Sequence, residues 1–311
     1  VNLDRDTWIL ILGTSGVLIA GTLVAAMLRH TRGKQNPRII QNLVVRVRAW
    51  WGIVGVFAIA LVAGRGGVCT LFAIISFLSL RELLTLAPTR LGDHHTLFWA
   101  FFVIIPLQYY IVYIGWYTFF TIFIPVWCFI FLALRSTLAG DTKRYLERTA
   151  KVQWGVMICV YFLSHAPALL MLPTDGDVEP WKMLVFLVIV VQMSDVLQYI
   201  WGMLLGKHKI APHISPNKTW EGFIGGVLCA TVLGAAIRFL TPFRFAQSIY
   251  ISFTIAVMGF FGGIVMSAIK RDAGIKDFGH LIEGHGGMLD RVDSLVFAAP
   301  VFFHVVRYWY T

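Results

Sequence analysis

Between Ser267 and Asp293 the sequence packs five carboxylates and four permanent cations into 27 residues. Asp290 and Asp293 stand three apart where an apolar stretch resumes, so on a helix they share a face. Carboxylates placed that way repel one another unless a cation lies between them. Mg²⁺ is the expected cation, because it is typically held by one or two carboxylates together with substrate phosphates. The residues leave open whether a monovalent cation joins it. Lys270, Arg271, Lys276 and Arg291 then suit phosphate oxygens, which arginine can grip two at a time. Gly284, Gly286 and Gly287 let backbone approach a ligand closely. Structural ion pairing alone would give a similar charge pattern.

A second polar segment runs from Gly206 to Gly222. Ser215 followed by Pro216 reads as a helix start, with a hydroxyl cap and a proline at the first helical position. The free amides of such a turn, with Lys218 and Thr219 alongside, would seat an anion. The glycine-rich run that precedes the lysine of a P-loop is absent, so Walker-type nucleotide binding is excluded. A third candidate is Asp195, flanked by Gln192, Ser194 and Gln198 inside an apolar stretch. An ionisable group there is costly, which makes it functional by default, a polar patch between packed helices being the other reading.

The elements that must position these groups follow from composition. Of 311 residues 58% are apolar and only 14% charged, and the mean hydropathy is +0.75. Long unbroken apolar runs predict an all-α, polytopic integral membrane bundle rather than a barrel. Ten candidate spans have approximate bounds 8–28, 50–64, 68–80, 97–115, 116–134, 154–172, 183–205, 223–240, 249–267 and 295–310. The second and third are short enough to be one re-entrant pair, which gives eight to ten membrane helices. The first run is followed by basic residues instead of a cleavage pattern and reads as a retained span. Residues 36–48 mix arginines with aliphatics in an amphipathic, surface-lying pattern.

Alternate connections hold 20 of the 26 lysines and arginines, whereas Asp4, Asp6, Asp175, Asp177 and Glu179 fall on the opposite side. That bias puts both polar segments in the cytosol. It also accounts for the net charge of +10 through topology and anionic lipid headgroups, without nucleic acid. Cys69, Cys128, Cys159 and Cys229 lie singly in apolar segments and suggest neither zinc nor disulfides. The chain divides into N-terminal helices, 1–172, and a C-terminal region, 173–311, that carries the chemistry.

Ser267 to Asp293 resembles the signature of the phosphatidate cytidylyltransferases, which runs S-x-x-K-R, then K-D, then H-G-G-x-x-D-R-x-D with the spacing kept throughout. Ser215 to Gly222 is similar to that family's S-P-x-K-T-W-E-G, and Asp195, Tyr199 and Gly202 to its D-x-x-x-Y-x-x-G. Glu283 stands where the pattern usually has Pro or Gly, and Gln198 where a small residue is usual. The likeness covers about the last 120 residues. It implies transfer of CMP from CTP to phosphatidic acid with Mg²⁺, giving CDP-diacylglycerol and pyrophosphate, and it implies a homodimer; the compact length suits a bacterial inner membrane, with an organellar or ER membrane as runner-up. By the same resemblance Asp277, Asp290 and Asp293 face the metal, with Asp195 next. Lys218, Lys270, Arg271, Lys276 and Arg291 hold phosphates. Ser215, Thr219, Glu221, Tyr199, Gly286 and Gly287 contact substrate, and His285 shapes the turn or touches phosphate. A paralogue acting on another lipid phosphate, an ion-coupled transporter and a non-catalytic lipid-binding protein are the competing readings.

Overall fold

The computed structural model describes residues 4–32, 37–87, 90–173, 178–279, 281 and 286–310. Glu283, His285, Asp175 and Asp177 lie outside the described residues.

Ten long helical elements account for nearly all of it. They are α1 (Arg5–Arg32), α2 (Pro37–Val62), α3 (Gly64–Thr85), α4 (Leu91–Ile114), α5 (Tyr117–Thr137) and α6 (Tyr145–Met171). After these come α7 (Pro180–Leu205), α8 (Trp220–Ala236), α9 (Phe245–Asp272) and α10 (Leu289–Tyr310). Among the described residues eight helices, α1 to α7 and α9, are long and apolar enough to cross a membrane. With 17 residues α8 spans about 26 Å, short of a ~30 Å hydrocarbon core. The first turns of α10 carry Asp290, Arg291 and Asp293.

One expectation changes. The short second and third candidates are not a re-entrant pair: they are the apolar parts of two full helices that abut at Gly64, whose φ of +72° suits glycine. From Pro37 the backbone of the amphipathic segment is helical without a break into the span, which begins at Leu43. Basic residues at the end of a long helix carry the amphipathic signal there.

Prolines explain irregularities within the spans. Three π-helical stretches, Ala100–Ile104, Phe123–Cys128 and Met157–Phe162, contain or closely precede Pro106, Pro125 and Pro167. Each proline removes an amide and crowds a carbonyl one turn back, and a wider turn absorbs the clash.

The core is built from α3 to α7, α9 and α10. By contrast α1 and α2 pack chiefly on each other and α3 and present Leu12, Leu23, Met27, Ile59 and Val62 outward. A lipid solvent makes such an apolar surface stable. On the side away from the polar segments, buried Lys182 at the start of α7 pairs with Asp4 and, at 3.6 Å, Asp6. The acidic terminus and this lysine therefore share a side, as the charge count predicts.

Between α7 and α8 lies a two-stranded antiparallel ribbon, β1 (Lys209–Ala211) and β2 (Ser215–Thr219), with Lys209 opposite Thr219 and Ala211 opposite Ser215. The helices it joins meet backbone to backbone. A Cβ on Gly222 would lie 2.8 Å from the Gln198 carbonyl, and one on Gly226 2.6 Å from the Gln198 Cα. Small residues permit such approach in membranes. Gln198 donates to the Ser194 hydroxyl at 2.7 Å and thus belongs to this crossing.

A buried ion cluster ties α4 to α6. Arg148 reaches Asp93 at 3.2 Å, Asp141 at 3.3 Å and the Asp141 carbonyl at 2.6 Å. Replacing Arg148 with Leu strands the buried Asp93 carboxylate, while the more exposed Asp141 keeps Arg90 at 2.5 Å. The expected cost is about 3–5 kcal/mol, seen as a lower thermal-unfolding midpoint in detergent. An unchanged midpoint would contradict the assignment.

Candidate active site

At the head of α10 the Asp290 carboxylate is fully engaged. Its Oδ1 accepts from Lys270 Nζ at 2.8 Å, and its Oδ2 accepts the amides of Phe278 at 2.9 Å and Gly287 at 3.0 Å. Lys270 lies in the last turn of α9, where a cation complements the helix dipole. The pair is nearly buried, with side chains 13% and 4% exposed. Gly286 makes the turn possible: its φ is +81°, and a Cβ there would stand 3.0 Å from Asp290 Oδ2 and 3.5 Å from the Asp277 Cβ. The loop after α9 is thus folded back onto the helix that follows it.

Arg271 joins this loop to the ribbon. Its Nε donates to the Ile214 carbonyl at 3.2 Å and its Nη1 to the Ile275 carbonyl at 3.1 Å. The two polar segments of the sequence therefore form one surface. Lys276 and Asp277 sit exposed at its rim.

Deeper in, four elements converge. Lys218 extends from β2 across Gly263 of α9, its Nζ 4.6 Å from the centre of the Phe260 ring and 3.4 Å from the Phe260 carbonyl. Asp195 from α7 hydrogen-bonds with Ser294 and lies within electrostatic reach of Asp293, Lys218 and Arg291. Asp293 accepts the Ser294 amide at 2.8 Å and feels Lys270 and Lys218. Burial pushes the Lys218 ammonium below lysine's ordinary value and Lys270 adds to this, while Asp195 and Asp293 pull it back. The Arg291 Nε is buried without a hydrogen-bond partner among the described residues. A buried guanidinium nitrogen left open beside two carboxylates and two ammoniums suits an incoming phosphate oxygen.

Other candidates have structural duties. The helix start is not at Ser215, which is half-buried in β2 opposite Ala211. Instead Thr219 caps α8, its Oγ1 accepting the Gly222 amide at 3.1 Å. Pro216, without an amide, is tolerated because the ribbon is all edge. Glu221 accepts the Lys207 amide at 3.0 Å and His208 Nδ1 at 2.6 Å, bracing the ribbon's entry. Tyr199 is exposed on α7, outside the converging group.

Two participants escape the motifs. Ser294 follows the last motif position and hydrogen-bonds with Asp195. Glu82, on α3, accepts the amides of Met288 and Leu289, each at 2.8 Å. One signal in the sequence marks it: Glu82 is the sole acid between Asp6 and Asp93, and an isolated acid in an apolar helix is functional by default.

Among the described residues no three acid, His or Cys side chains converge as a full metal cage. Asp195 and Asp293 lie within electrostatic reach of each other, and two carboxylates suit a cation that takes its remaining ligands from substrate.

The apolar helices and a family match together make this a membrane-embedded nucleotidyltransferase. The chain belongs to the Cytidylyltransferase family, whose model matches residues 44–309. It is 41% identical to the Escherichia coli K12 protein named Uncharacterized protein YnbB over 268 residues, 86% of this chain and 88% of that one. It is 42% identical to the phosphatidate cytidylyltransferase of Staphylococcus saprophyticus over 120 residues, 38% of this chain and 46% of the relative. To that of Mycobacterium leprae it is 39% identical over 171 residues, 54% of this chain and 53% of the relative. The chain thus spans about half the length of these two phosphatidate enzymes.

The Glu221 carboxylate is held down to about 2 from its ordinary 4.5, mainly by the hydrogen bond from His208. A depressed acid contributes stability above its unfolded value, and that contribution is lost as pH falls through the folded one. Amide exchange in the ribbon should therefore accelerate as pH drops from 5 towards 2, beyond the intrinsic trend, and Glu221→Gln should remove this component. Identical acid profiles for the two proteins would refute the brace.

Proposed function

We propose that this protein transfers CMP from CTP to the phosphate of phosphatidic acid, giving CDP-diacylglycerol and pyrophosphate at the cytoplasmic face of a bacterial inner membrane. The observation that carries the reading is the convergence of Lys218, Lys270, Asp195 and Asp293 from separate elements beside the Arg291 Nε, which has no partner among the described residues. The motif resemblance and the printed names of the Staphylococcus and Mycobacterium relatives supply the nucleotide and the acceptor.

The chemistry needs little beyond what these residues offer. A phosphatidate oxygen is already anionic, so no general base has to be built. That oxygen bonds to the α-phosphorus of CTP as the bond from that phosphorus to the α–β bridging oxygen breaks. Pyrophosphate leaves with the electron pair. The obstacles are repulsion between anions and alignment of the three centres. Lys218, shielded from water, and Arg291 act where charge accumulates, and shielding strengthens each contact. Lys276 and Arg271 at the rim draw the triphosphate inward.

Asp195 and Asp293 would hold Mg²⁺, which when bound neutralises the triphosphate and the departing pyrophosphate. Asp290 and Asp277 stand behind this pair, the first committed to Lys270 and two amides, the second at the exposed rim. A homodimer is proposed on the resemblance alone.

A second acceptor has one finding in its favour. Kinship along nearly the whole chain is with YnbB, whereas the phosphatidate enzymes align over about half. Purified protein with radiolabelled CTP, Mg²⁺ and vesicles carrying either phosphatidic acid or an isoprenoid phosphate separates the readings. Labelled CDP-diacylglycerol is expected, with turnover lowered at least about 100-fold by Asp293→Asn. A labelled product from the isoprenoid phosphate alone moves the acceptor. No labelled lipid from either, beside an active relative, overturns the assignment.

A further inference from the structure

We propose that Glu82, in the half of the chain that carries none of the motifs, is a positioning residue for the transfer proposed above: it fixes the start of α10 so that Arg291 and Asp293 meet Lys218 and Asp195. The inference rests on that reading of the reaction, but the contact itself does not.

A helix that starts at Leu289 exposes amides with no intrahelical acceptor. Glu82 reaches across from α3 with one carboxylate oxygen for each of two, Oε1 to Met288 and Oε2 to Leu289, both at 2.8 Å. Asp290 takes the adjoining Gly287 amide and that of Phe278. Three consecutive amides, 287 to 289, thus each end on a carboxylate oxygen, with acids from opposite halves of the chain sharing the work. The negative charge also sits favourably at the positive end of the helix.

The surroundings are shaped for that carboxylate. A Cβ on Gly279 would stand 3.0 Å from Glu82 Oε1, and one on Gly287 would be closer still to Oε2. Neither glycine has positive φ, so the close approach of Glu82 explains their lack of a side chain. A further consequence concerns the substrate. The N-terminus of α10 would otherwise seat an anion, and Glu82 already fills it. Substrate phosphates are left to the side-chain cations Lys218, Lys270 and Arg291.

The test uses the full chain in lipid nanodiscs, with amide exchange over 286–290 measured without nucleotide and CMP transfer measured alongside. Glu82→Ala should speed exchange at Met288 and Leu289 at least tenfold. It should also lower kcat at least tenfold at saturating CTP, with KM for CTP changed less than threefold. A residue that merely capped the helix would alter exchange and leave kcat alone, and that outcome overturns the proposal, as does unchanged exchange. Should Glu82→Ala fail to fold, Glu82→Gln, which keeps one acceptor oxygen, carries the same two readouts at smaller amplitude. Gly279→Ala, which crowds the carboxylate, should also lower kcat. Combined with Glu82→Ala it should add little further loss, whereas multiplicative losses would place the two effects elsewhere. A wild-type chain that transfers no CMP sinks the reaction assigned above, and the exchange measurements then still decide whether Glu82 holds the loop.

Discussion

A helix that begins inside a charged loop at a membrane boundary must find acceptors for its first amides, and here the supply of those acceptors organises the site. Asp290 closes the loop on one side through Lys270, Phe278 and Gly287. Because an unpaired buried amide or charge costs far more than a paired one contributes, the anchoring of Phe278 and Gly287 to Asp290 is costly to undo. Everything functional hangs from it. Arg291 and Asp293 take their directions from the turn that Asp290 and Glu82 secure, and Arg271 carries the same rigidity into the ribbon that presents Lys218.

The acids of the site consequently fall into two kinds. Asp290, Glu221 and Glu82 spend their oxygens on backbone amides and on one cation or imidazole each at most, which makes them framework. Asp195 and Asp293 lie within electrostatic reach of each other and of Lys218, and Asp293 accepts one amide, that of Ser294. In the transfer proposed above, that second pair and the lysines beside it meet the substrates.

Much of this was legible in the sequence because the signals are local. Apolar runs gave the helices, and basic residues gave a two-sided map with which the Lys182 contacts to Asp4 and Asp6 agree. The density of charge between Ser267 and Asp293 marked the loop. What escaped depends on distant partners. Ser215-Pro216 has the local chemistry of a helix start, yet pairing with Lys209–Ala211 draws Ser215 to Thr219 into a strand and moves the cap to Thr219. Glu82 meets residues more than 200 positions away, and only its isolation hinted at a role. Tyr199 fits a motif but points to the exposed surface of α7, a matter of helix rotation that spacing does not fix.

The dependence of the site on one buried pair is tested most directly by a double-mutant cycle between Lys270 and Asp290. Thermal stability of the purified protein would be compared for Lys270→Met, Asp290→Asn and the double variant, without nucleotide. If the pair organises the loop, each single change strands a buried group, and the double variant is less destabilised than the sum by about 1–3 kcal/mol. Losses that add to within about 0.5 kcal/mol would mean that the two side chains act independently and that the loop is held by something else.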